Sequence, residues 1–354
     1  MSQPFFSIAI TTYNRHELLR EALEAIISQE FGDFEVIVGN DYQAEILTEE
    51  MLGISDPRIQ IINHPKNLRE IGNMNALLAM ASGRYFTWLF DDDLYEPGFL
   101  RAAHEALVET GFPPALFPSY RVVRGAEASP AKNLPSRRPE LFTGREYLAH
   151  YFSGRAKLIS TCGLFEIGTL RRVIGGMEEL SSSPIGLYSE FLLLVRCALL
   201  EKIAYLDTPF VIFRAHASSW GETNLELPTY LEAGEQLIRR SSEILSQASL
   251  RQDYAKNFLG VSKIHLATFC FAAVRVEIHR GATGILAIYK AAGKVLRELS
   301  RVRRFFSEES LSTRIRLNLG LLPIAVKCAY LVSYSVAYYW WRNRKDKAAD
   351  GHRG

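Results

Sequence analysis

The chain has few cysteines and almost no net charge, and both facts narrow the classes of protein to which it can belong. Only four of its 354 residues are cysteines, and no two of them form a CxxC pair. A disulfide framework or a cysteine-rich zinc site is therefore not indicated, and we expect four buried, reduced thiols of a cytosolic protein. The formal net charge of +2 gives no broad positive field for a nucleic-acid partner.

A basic leader is also missing from the N-terminal sequence. The residues MSQPFFSIAI lead directly into a strand pattern, so we expect no secretory signal peptide. The hydrophobic fraction of 48% and the charged fraction of 23% are typical of a globular protein with an apolar core. The length predicts two domains, or one large domain with appendages.

Apolar strand patterns alternate with helical patterns over the first hundred residues. We expect strands at 6–12, 34–39, 58–62 and 85–90, and helices at 16–29, 44–52, 75–81 and 98–109. Short connections between such elements are typical of βα units. The pattern therefore predicts an α/β fold with a doubly wound, mostly parallel, Rossmann-like sheet.

Polar residues stand where three of these strands end. Thr12 closes the first strand, Asn40 and Asp41 close the second, and Asp91–Asp93 follow the fourth. The carboxyl ends of parallel strands share one edge of a sheet, where ligands bind in such folds. We therefore expect these groups to lie around one cleft.

The remainder of the chain changes in character near residue 226. We expect a loop at 124–139, an apolar helix at 191–200 and a strand pair within 203–213. Long helical patterns follow at 228–247, 252–280, 283–300 and 308–342. The predicted domains are a nucleotide-binding-type domain at 1–222 and a helical C-terminal region at 223–354.

The sequence WLFDDDLYEPGFL at 88–100 places three carboxylates side by side, and their mutual repulsion needs a compensating positive partner. Carboxylate oxygens suit magnesium or manganese, which bind through one or two carboxylates together with substrate phosphates. A solvated acidic turn before a helix N-terminus is the alternative interpretation.

Three blocks of the sequence together resemble family 2 glycosyltransferases, over about residues 5–220. The blocks are FSIAITTYNR at 6–15, NHPKNLREIGNMNALLAMASGRYFTWLFDDDLYEPGFL at 63–100, and YSEFLLLVRCALLEKIAYLDTPFVIFRAH at 188–216. The resemblance implies the GT-A fold and a metal-dependent, inverting transfer from a nucleotide sugar.

The resemblance also implies which residues bind the donor. Thr12, Tyr13 and Arg15 would flank the nucleotide base, Asp41 would contact base and ribose with help from Asn40, and Arg69 would point toward the donor. The family usually has two acidic residues, a small residue and a serine where this chain has Asn40-Asp41-Tyr42-Gln43.

The aspartate triplet, Asp91–Asp93, matches the Asp-x-Asp motif with which the family holds Mn²⁺ or Mg²⁺ against the donor diphosphate. Asp91 and Asp93 have the required spacing, although an alternative register places Phe90 and Asp92 at the motif positions. The resemblance further implies that Arg214 contacts the diphosphate and that His216 completes the metal shell.

Inverting transfer requires a general base that removes the proton of the acceptor hydroxyl. Glu190 occupies the position of the family's base, and Ser189 stands where the family often has another acid. Glu178 and Glu179, which follow a double glycine, are the alternative candidates.

Residues 321–341 are long and apolar enough to suggest a membrane span, but Pro323 and Lys327 interrupt them. Basic residues on both sides favour a peripheral helix on anionic lipid, on the inner face of the plasma membrane. Packing against neighbouring helices, or against a second subunit of a homo-oligomer, is the alternative. The flanking residues are Arg297, Arg301, Arg303, Arg304, Phe305, Phe306, Arg314, Arg316 and 342–347.

The resemblance thus implies a cytoplasmic hexosyltransferase-like enzyme of bacterial surface polysaccharide or glycolipid assembly. Its donor would be a UDP-sugar, and its acceptor a sugar, a lipid-linked sugar or a protein. Two alternatives belong to other classes. A nucleotidyltransferase acting on a sugar phosphate typically has a Gly-rich loop after the first strand, which TTYNRHE lacks. A non-catalytic sugar-binding or scaffold protein with a degenerate domain is the other.

Overall fold

The computed structural model describes residues 3–124, 134, 137–215 and 226–350, without the side chains of residues 124 and 160 and of 339–350. The chain separates into two compact units. The first comprises Met1–Glu179 and Ser183–Ser219, and the second comprises Leu180–Ser182 and Trp220–Gly354. The domain boundary predicted at 222/223 falls within 216–225, outside the described residues.

The first unit begins with the parallel sheet that the sequence predicted. Its strands are β1 (Phe6–Thr12), β2 (Phe34–Asn40), β3 (Ile59–Asn63) and β4 (Tyr85–Phe90), in the order β3-β2-β1-β4. All three pairings are parallel. The connecting helices are α1 (His16–Ile27), α2 (Glu49–Leu52) and α3 (Arg69–Met80). The ends of β1, β2 and β4 therefore lie along one edge, which we call the rim.

The second half of this unit makes the sheet mixed. Its elements are β5 (Leu94–Tyr95), α4 (Phe99–Glu109), β6 (Ala115–Arg124), β7 (Glu140–Phe142), α5 (Gly144–Ser153), β8 (Leu164–Glu166), α6 (Ile167–Thr169), α7 (Ser189–Arg196) and β9 (Ile203–Ala215). Strand β8 joins β4 to β6 and is antiparallel to both, while β6 and β9 are parallel. Strands β5 and β7 pair antiparallel with β9.

The predicted helix at 44–52 and the predicted strand pair within 203–213 both differ from the structure. The helix expected at 44–52 is confined to Glu49–Leu52, because the side chain of Asn63 accepts from the backbone N–H of Leu47 (2.8 Å) and donates to its carbonyl (3.0 Å). The strand pair expected within 203–213 is one strand, Ile203–Ala215. A register shift of β6 at Ser119 accommodates the Asp207–Pro209 segment.

Close packing under the rim fixes α3 against the sheet. The buried Asn73 donates through Nδ2 to the carbonyl of Gly39 at 2.8 Å, and Trp88 donates through Nε1 to the carbonyl of Met74 at 3.0 Å. A Cβ at position 39 would lie 2.1 Å from Oδ1 of Asn73, so only glycine fits there. Helix α3 begins at Arg69 rather than at the predicted residue 75, and its first turns therefore belong to the rim region.

The second unit is helical, as predicted. Its helices are α8 (Leu227–Leu245), α9 (Tyr254–His279), α10 (Gly284–Arg304) and α11 (Leu311–Asp350). Inside it, Nε2 of the buried His265 lies 3.0 Å from Oε1 of the buried Glu298. All four cysteines of the chain are free and buried, as expected. Phe306 is buried too, which removes it from the predicted membrane-facing set.

Two stretches of the described residues are long and apolar enough to cross a membrane, Arg251–His279 and Leu311–Tyr338. The most apolar part of the first is 61% buried inside the protein, which is typical of a core helix. The corresponding part of the second is only 33% buried. One side of α11 is therefore open along most of its length.

Candidate active site

The structure brings the predicted rim residues together. The hydroxyl of Thr12 at the end of β1 donates to Oδ2 of Asp91 at 2.8 Å. The backbone N–H of Asp41, at the end of β2, donates to the carbonyl of Thr12 at 3.1 Å. These two hydrogen bonds join the three residues into one polar cluster at the carboxyl ends of the strands, and all three residues are buried.

Asp41 also ties the rim to the segment that precedes α3. Its Oδ1 accepts from the backbone N–H of Leu68 at 2.8 Å. Asn40 plays a different part, since its Nδ2 donates to Oδ1 of Asn63 (2.8 Å) and to the carbonyl of Glu45 (3.0 Å). Asn40 therefore holds the loop after β2, and Asp41 carries the carboxylate of this part of the rim.

Two tyrosines stand next to Asp41 on the outside of the rim. The rings of Tyr13 and Tyr42 meet edge to face, with centroids 5.2 Å apart. Tyr13 is 53% exposed, so its ring is available to a planar ligand. Such a pair beside a carboxylate offers a stacking surface and a hydrogen-bond acceptor together.

Arg15 lies at the aspartate triplet. Its Nη1 is 3.2 Å from Oδ1 of Asp91 and 3.2 Å from Oδ2 of Asp92. Its place beside the nucleotide base stays a prediction, and in this structure the two carboxylates hold the side chain at the triplet. The guanidinium therefore provides part of the positive charge that three adjacent aspartates require.

Arg214 on β9 provides the rest of the compensation. Its backbone N–H donates to Oδ1 of Asp93 at 3.0 Å, and its Nε donates to the carbonyl of Asp92. Its Nη1 pairs with Glu21 on α1. Asp93 is only 1% exposed, although it follows the end of a strand.

Burial makes the two outer aspartates unusually weak acids. Burial and then the charge of Asp92 raise the pKa of Asp91 to about 6, although Arg15 and Thr12 act in the opposite direction. The same two causes, followed by the charge of Glu190, raise the pKa of Asp93 well above its ordinary value. Burial thus disfavours the charged forms of Asp91 and Asp93, and a cation bound beside them would favour those forms.

The residues at the triplet fit a hard divalent cation in part. Oδ2 of Asp93 is buried and has no hydrogen-bond partner among the described residues, and carboxylate oxygens are the ligands that Mg²⁺ and Mn²⁺ prefer. Within the described ranges, no group of three or more His, Cys, Asp or Glu side chains is arranged to hold a metal ion. His216, the predicted third ligand, lies outside the described residues.

Glu190 lies in the first turn of α7, close enough to the triplet for its charge to affect Asp93. It is the second residue of the helix and is half-buried, and its charge contributes to the raised pKa values of Asp93 and Glu70. Tyr188 before it adopts a left-handed conformation with φ of 65°, which is uncommon for a residue other than glycine. The left-handed turn at Tyr188 sets the direction in which α7 begins.

The rival acids are differently placed. Glu178 forms an ion pair with Arg196, and its carbonyl accepts from the hydroxyl of Ser189 at 2.6 Å. Glu179 lies in a cleft of about 440 Å³ between α3 and the double-glycine loop. The lining residues are Ile71, Gly72, Asn75, Ile174, Gly175, Met177, Glu178, Glu179 and Arg196.

Arg69 starts α3 in a left-handed conformation with φ of 61°, and its backbone N–H donates to Oδ1 of Asn67 at 2.8 Å. The side chain is exposed. This residue therefore stands at the helix start next to Leu68, whose N–H is bound by Asp41.

Glu70 is a member of the site that the sequence did not single out. Its backbone N–H donates to the carbonyl of Pro184 at 3.2 Å, and its Oε2 accepts from the N–H of Gly186 at 3.3 Å. It thus holds the loop that leads into α7 and Glu190. Burial, followed by the charges of Glu190, Asp92 and Asp91, raises its pKa to about 7.

We expect Glu70→Gln to stabilise the metal-free protein at pH 8 and to have little effect at pH 5. The unfolded chain loses the Glu70 proton near the ordinary pKa of 4.5, while the folded chain holds it up to about pH 7. Stability is therefore lost as the pH rises through this window, and the amide removes the loss. Melting temperatures across the pH range, in the presence of a chelator, measure the effect.

Glu50→Gln is the matched control, because Glu50 is an exposed acid on α2. If the melting temperatures of Glu70→Gln and wild type differ by the same amount at pH 5 and at pH 8, the raised pKa is contradicted.

Comparison with known proteins shows which family the N-terminal part of the chain resembles. Residues 7–153 match the model of the glycosyl transferase family 2. This range contains β2–β4, all of β1 except Phe6, the rim residues and the aspartate triplet. Residues 7–153, about two fifths of the chain, therefore form a domain that is similar to glycosyltransferase family 2.

Two curated bacterial relatives each match a part of the chain. The putative colanic acid biosynthesis glycosyl transferase WcaA of Escherichia coli strain K12 is 30% identical over 139 residues, which cover 38% of this chain and 49% of that protein. The UDP-Glc:alpha-D-GlcNAc-diphosphoundecaprenol beta-1,3-glucosyltransferase WfgD of Escherichia coli is 25% identical over 95 residues, covering 27% and 38%. The matched part spans less than half of either relative.

Among solved structures, residues 1–349 of Staphylococcus aureus TarS in complex with UDP-GlcNAc share the fold. The TM-score is 0.50 at 15% sequence identity, covering 78% of this chain and 87% of that one. The likeness confirms the GT-A type of fold that the sequence resemblance implied.

Proposed function

We propose that the chain is an inverting glycosyltransferase that moves a sugar from a nucleoside-diphosphate sugar to an acceptor hydroxyl in bacterial surface polysaccharide or glycolipid assembly. The observation that carries the proposal is the hydrogen-bonded cluster of Thr12, Asp41 and Asp91 at the rim of a family 2 domain. It supplies a buried polar anchor at the place where doubly wound sheets bind ligands.

The nucleotide would lie across the ends of β1 and β2. Tyr13 offers an exposed ring to the base, and Asp41 offers Oδ2 to base or ribose while its Oδ1 holds the N–H of Leu68. Arg69 stands at the start of the helix that Asp41 fixes. WfgD is named for a UDP-glucose donor, which supports UDP-sugars as the first donors to test.

The donor diphosphate would lie against the aspartate triplet, with Asp93 and Asp91 holding Mn²⁺ or Mg²⁺ and Asp92 beside them. A divalent cation, when bound, neutralises charge on the leaving diphosphate. Arg15 bridges Asp91 and Asp92, and it can turn toward phosphate oxygens because a third of its side chain is exposed. Arg214 holds the triplet from β9 through its backbone N–H and its Nε.

The proposed chemistry requires one proton transfer. Glu190 accepts the proton of the acceptor hydroxyl while the acceptor oxygen forms a bond to the anomeric carbon, and the bond from that carbon to the diphosphate breaks with its electron pair. Glu70 fixes the loop before α7 and so positions Glu190. Attack from the side opposite the leaving group inverts the anomeric configuration.

The acceptor in this proposal is a lipid-linked sugar. WfgD is named for an acceptor linked to diphosphoundecaprenol, and the open side of α11 in the helical unit is compatible with peripheral attachment to a membrane. The enzyme would then act on the cytoplasmic face, where nucleotide sugars are available.

A panel of nucleotide sugars tested with and without Mn²⁺ by thermal shift tests the proposed function. A donor that binds only the folded state raises the melting temperature by mass action. We expect at least one UDP- or GDP-sugar to raise it in the presence of Mn²⁺, and release of the nucleoside diphosphate to follow with an acceptor. If no nucleotide sugar shifts the melting temperature, the enzyme proposal fails and a degenerate scaffold domain is favoured.

A further inference from the structure

One side of α10 presents large apolar residues to solvent. Ile285, Tyr289 and Leu296 are 84%, 76% and 62% exposed. Their spacings of four and seven residues place them on the same side of the helix. Large apolar side chains that lie next to one another on a protein surface often mark an interaction site, so this side of α10 indicates a binding surface.

A basic stripe runs beside these apolar residues. Lys290, Arg297 and Arg304 follow one another at seven-residue intervals and are all exposed. Arg303 near the helix end is exposed as well. None of the four forms an ion pair with another described residue, so their charges face solvent.

No exposed acid interrupts this face. The only acidic residue of Gly284–Arg304 is Glu298, which is buried and held by His265 at 3.0 Å and by Arg301 at 3.2 Å. The opposite side of the helix packs into the unit through small and branched residues. These residues are Ala287, Ala291, Val295, Leu299 and Val302.

We propose that the exposed side of α10 docks on an anionic lipid bilayer. Ile285, Tyr289 and Leu296 enter the boundary between headgroups and acyl chains, and the basic stripe contacts lipid phosphates. A helix with an apolar face bordered by Lys and Arg, and without acidic residues on that side, has the charge and shape for such a surface. This inference rests on the proposed function in one respect: it supplies the contact surface for the membrane attachment that is proposed there.

Other partners match this face less well. In a two-fold dimer formed through α10, the basic stripe of one copy would face the same stripe of the other, and like charges repel. A nucleic acid would pair with the basic stripe but would leave the three apolar side chains in water. An anionic lipid bilayer offers acyl chains to the three apolar residues and phosphates to the basic stripe.

Sedimentation of the full chain with vesicles tests the surface without donor, acceptor or metal. We expect binding to vesicles of phosphatidylglycerol and phosphatidylcholine, weaker binding at high salt, and little binding to phosphatidylcholine alone. A K290Q/R297Q/R304Q variant should bind the anionic vesicles about 10²-fold more weakly, since each basic residue near such a surface contributes about tenfold or less. An I285N/Y289N/L296N variant should also lose binding.

The matched control is K256Q/K263Q/R280Q, which removes the same charge from two exposed positions of α9 and from the exposed residue that follows it. Unchanged melting temperatures show that the variants fold. The proposal is overturned if the wild-type protein does not sediment with anionic vesicles. It is also overturned if both α10 variants bind the vesicles as wild type does and the L319N/V326N/Y330N variant of α11 loses binding. A dimer or a nucleic-acid complex that the α10 variants abolish, without vesicle binding, also overturns it. Because donor binding is measured separately, failure here leaves the proposed function standing.

Discussion

Glu190→Gln is expected to lower the rate of sugar transfer by about 10²–10⁴-fold, the usual cost of removing a general base. Donor affinity should stay close to that of wild type, because the carboxylate acts on the acceptor hydroxyl and not on the diphosphate. The amide keeps the size of the side chain, so an unchanged melting temperature excludes a folding defect. The measurement is the transfer rate at saturating donor and Mn²⁺, together with donor affinity by calorimetry.

The control for this prediction is Glu179→Gln, because Glu179 is the acid in the cleft beside α3 and Glu178 is already paired with Arg196. We expect Glu179→Gln to transfer at a rate near that of wild type. The assignment of Glu190 is wrong if Glu190→Gln remains active and Glu179→Gln is inactive. The base would then lie after the double glycine.

Asp93→Asn should weaken donor binding in the presence of Mn²⁺ by about 10–10²-fold, the range for losing one bond to a charged group. Asparagine is preferable to alanine, because its oxygen still accepts from the backbone N–H of Arg214, which alanine would leave without its partner. The melting temperature of the metal-free variant should not fall, since burial opposes the charge of Asp93. Calorimetric titration with donor, with and without Mn²⁺, provides the measurement.

Chelation of the metal should lower donor affinity of wild type to the level of Asp93→Asn and should leave the variant almost unaffected. Asp33→Asn is the control, because Asp33 is an exposed aspartate at the opposite end of the sheet, where its carbonyl accepts from the N–H of Phe6. Full donor affinity of Asp93→Asn in Mn²⁺ would exclude Asp93 from the cation site.

The parallel half of the sheet could be predicted because its signals are local. Apolar runs end in polar residues at Thr12, Asp41 and Asp91, and parallel pairing then brings these ends to one edge without further information. The antiparallel strand β8 has only three residues, and its place between β4 and β6 depends on partners distant in sequence. Periodicity carries no signal for an element of this length.

The details of the site depended on contacts that sequence patterns do not record. Asp93 is buried because β9 brings Arg214, 121 positions later, against it. Glu70 resembled an ordinary acid at a helix start, and only the loop at Pro184 and Gly186 makes it a member of the site. Its neighbour Asn67 and the start of α3 at Arg69 offer the one local hint, a polar helix entry next to the predicted rim.

A crystal structure of the chain with Mn²⁺ and the nucleotide sugar identified by the thermal-shift panel tests whether the rim binds the donor. We expect the base to lie beside Tyr13 and Asp41, the cation to contact Oδ2 of Asp93, and the anomeric carbon to face Glu190. A nucleotide bound away from the rim, or a cation bound without the aspartate triplet, would contradict it.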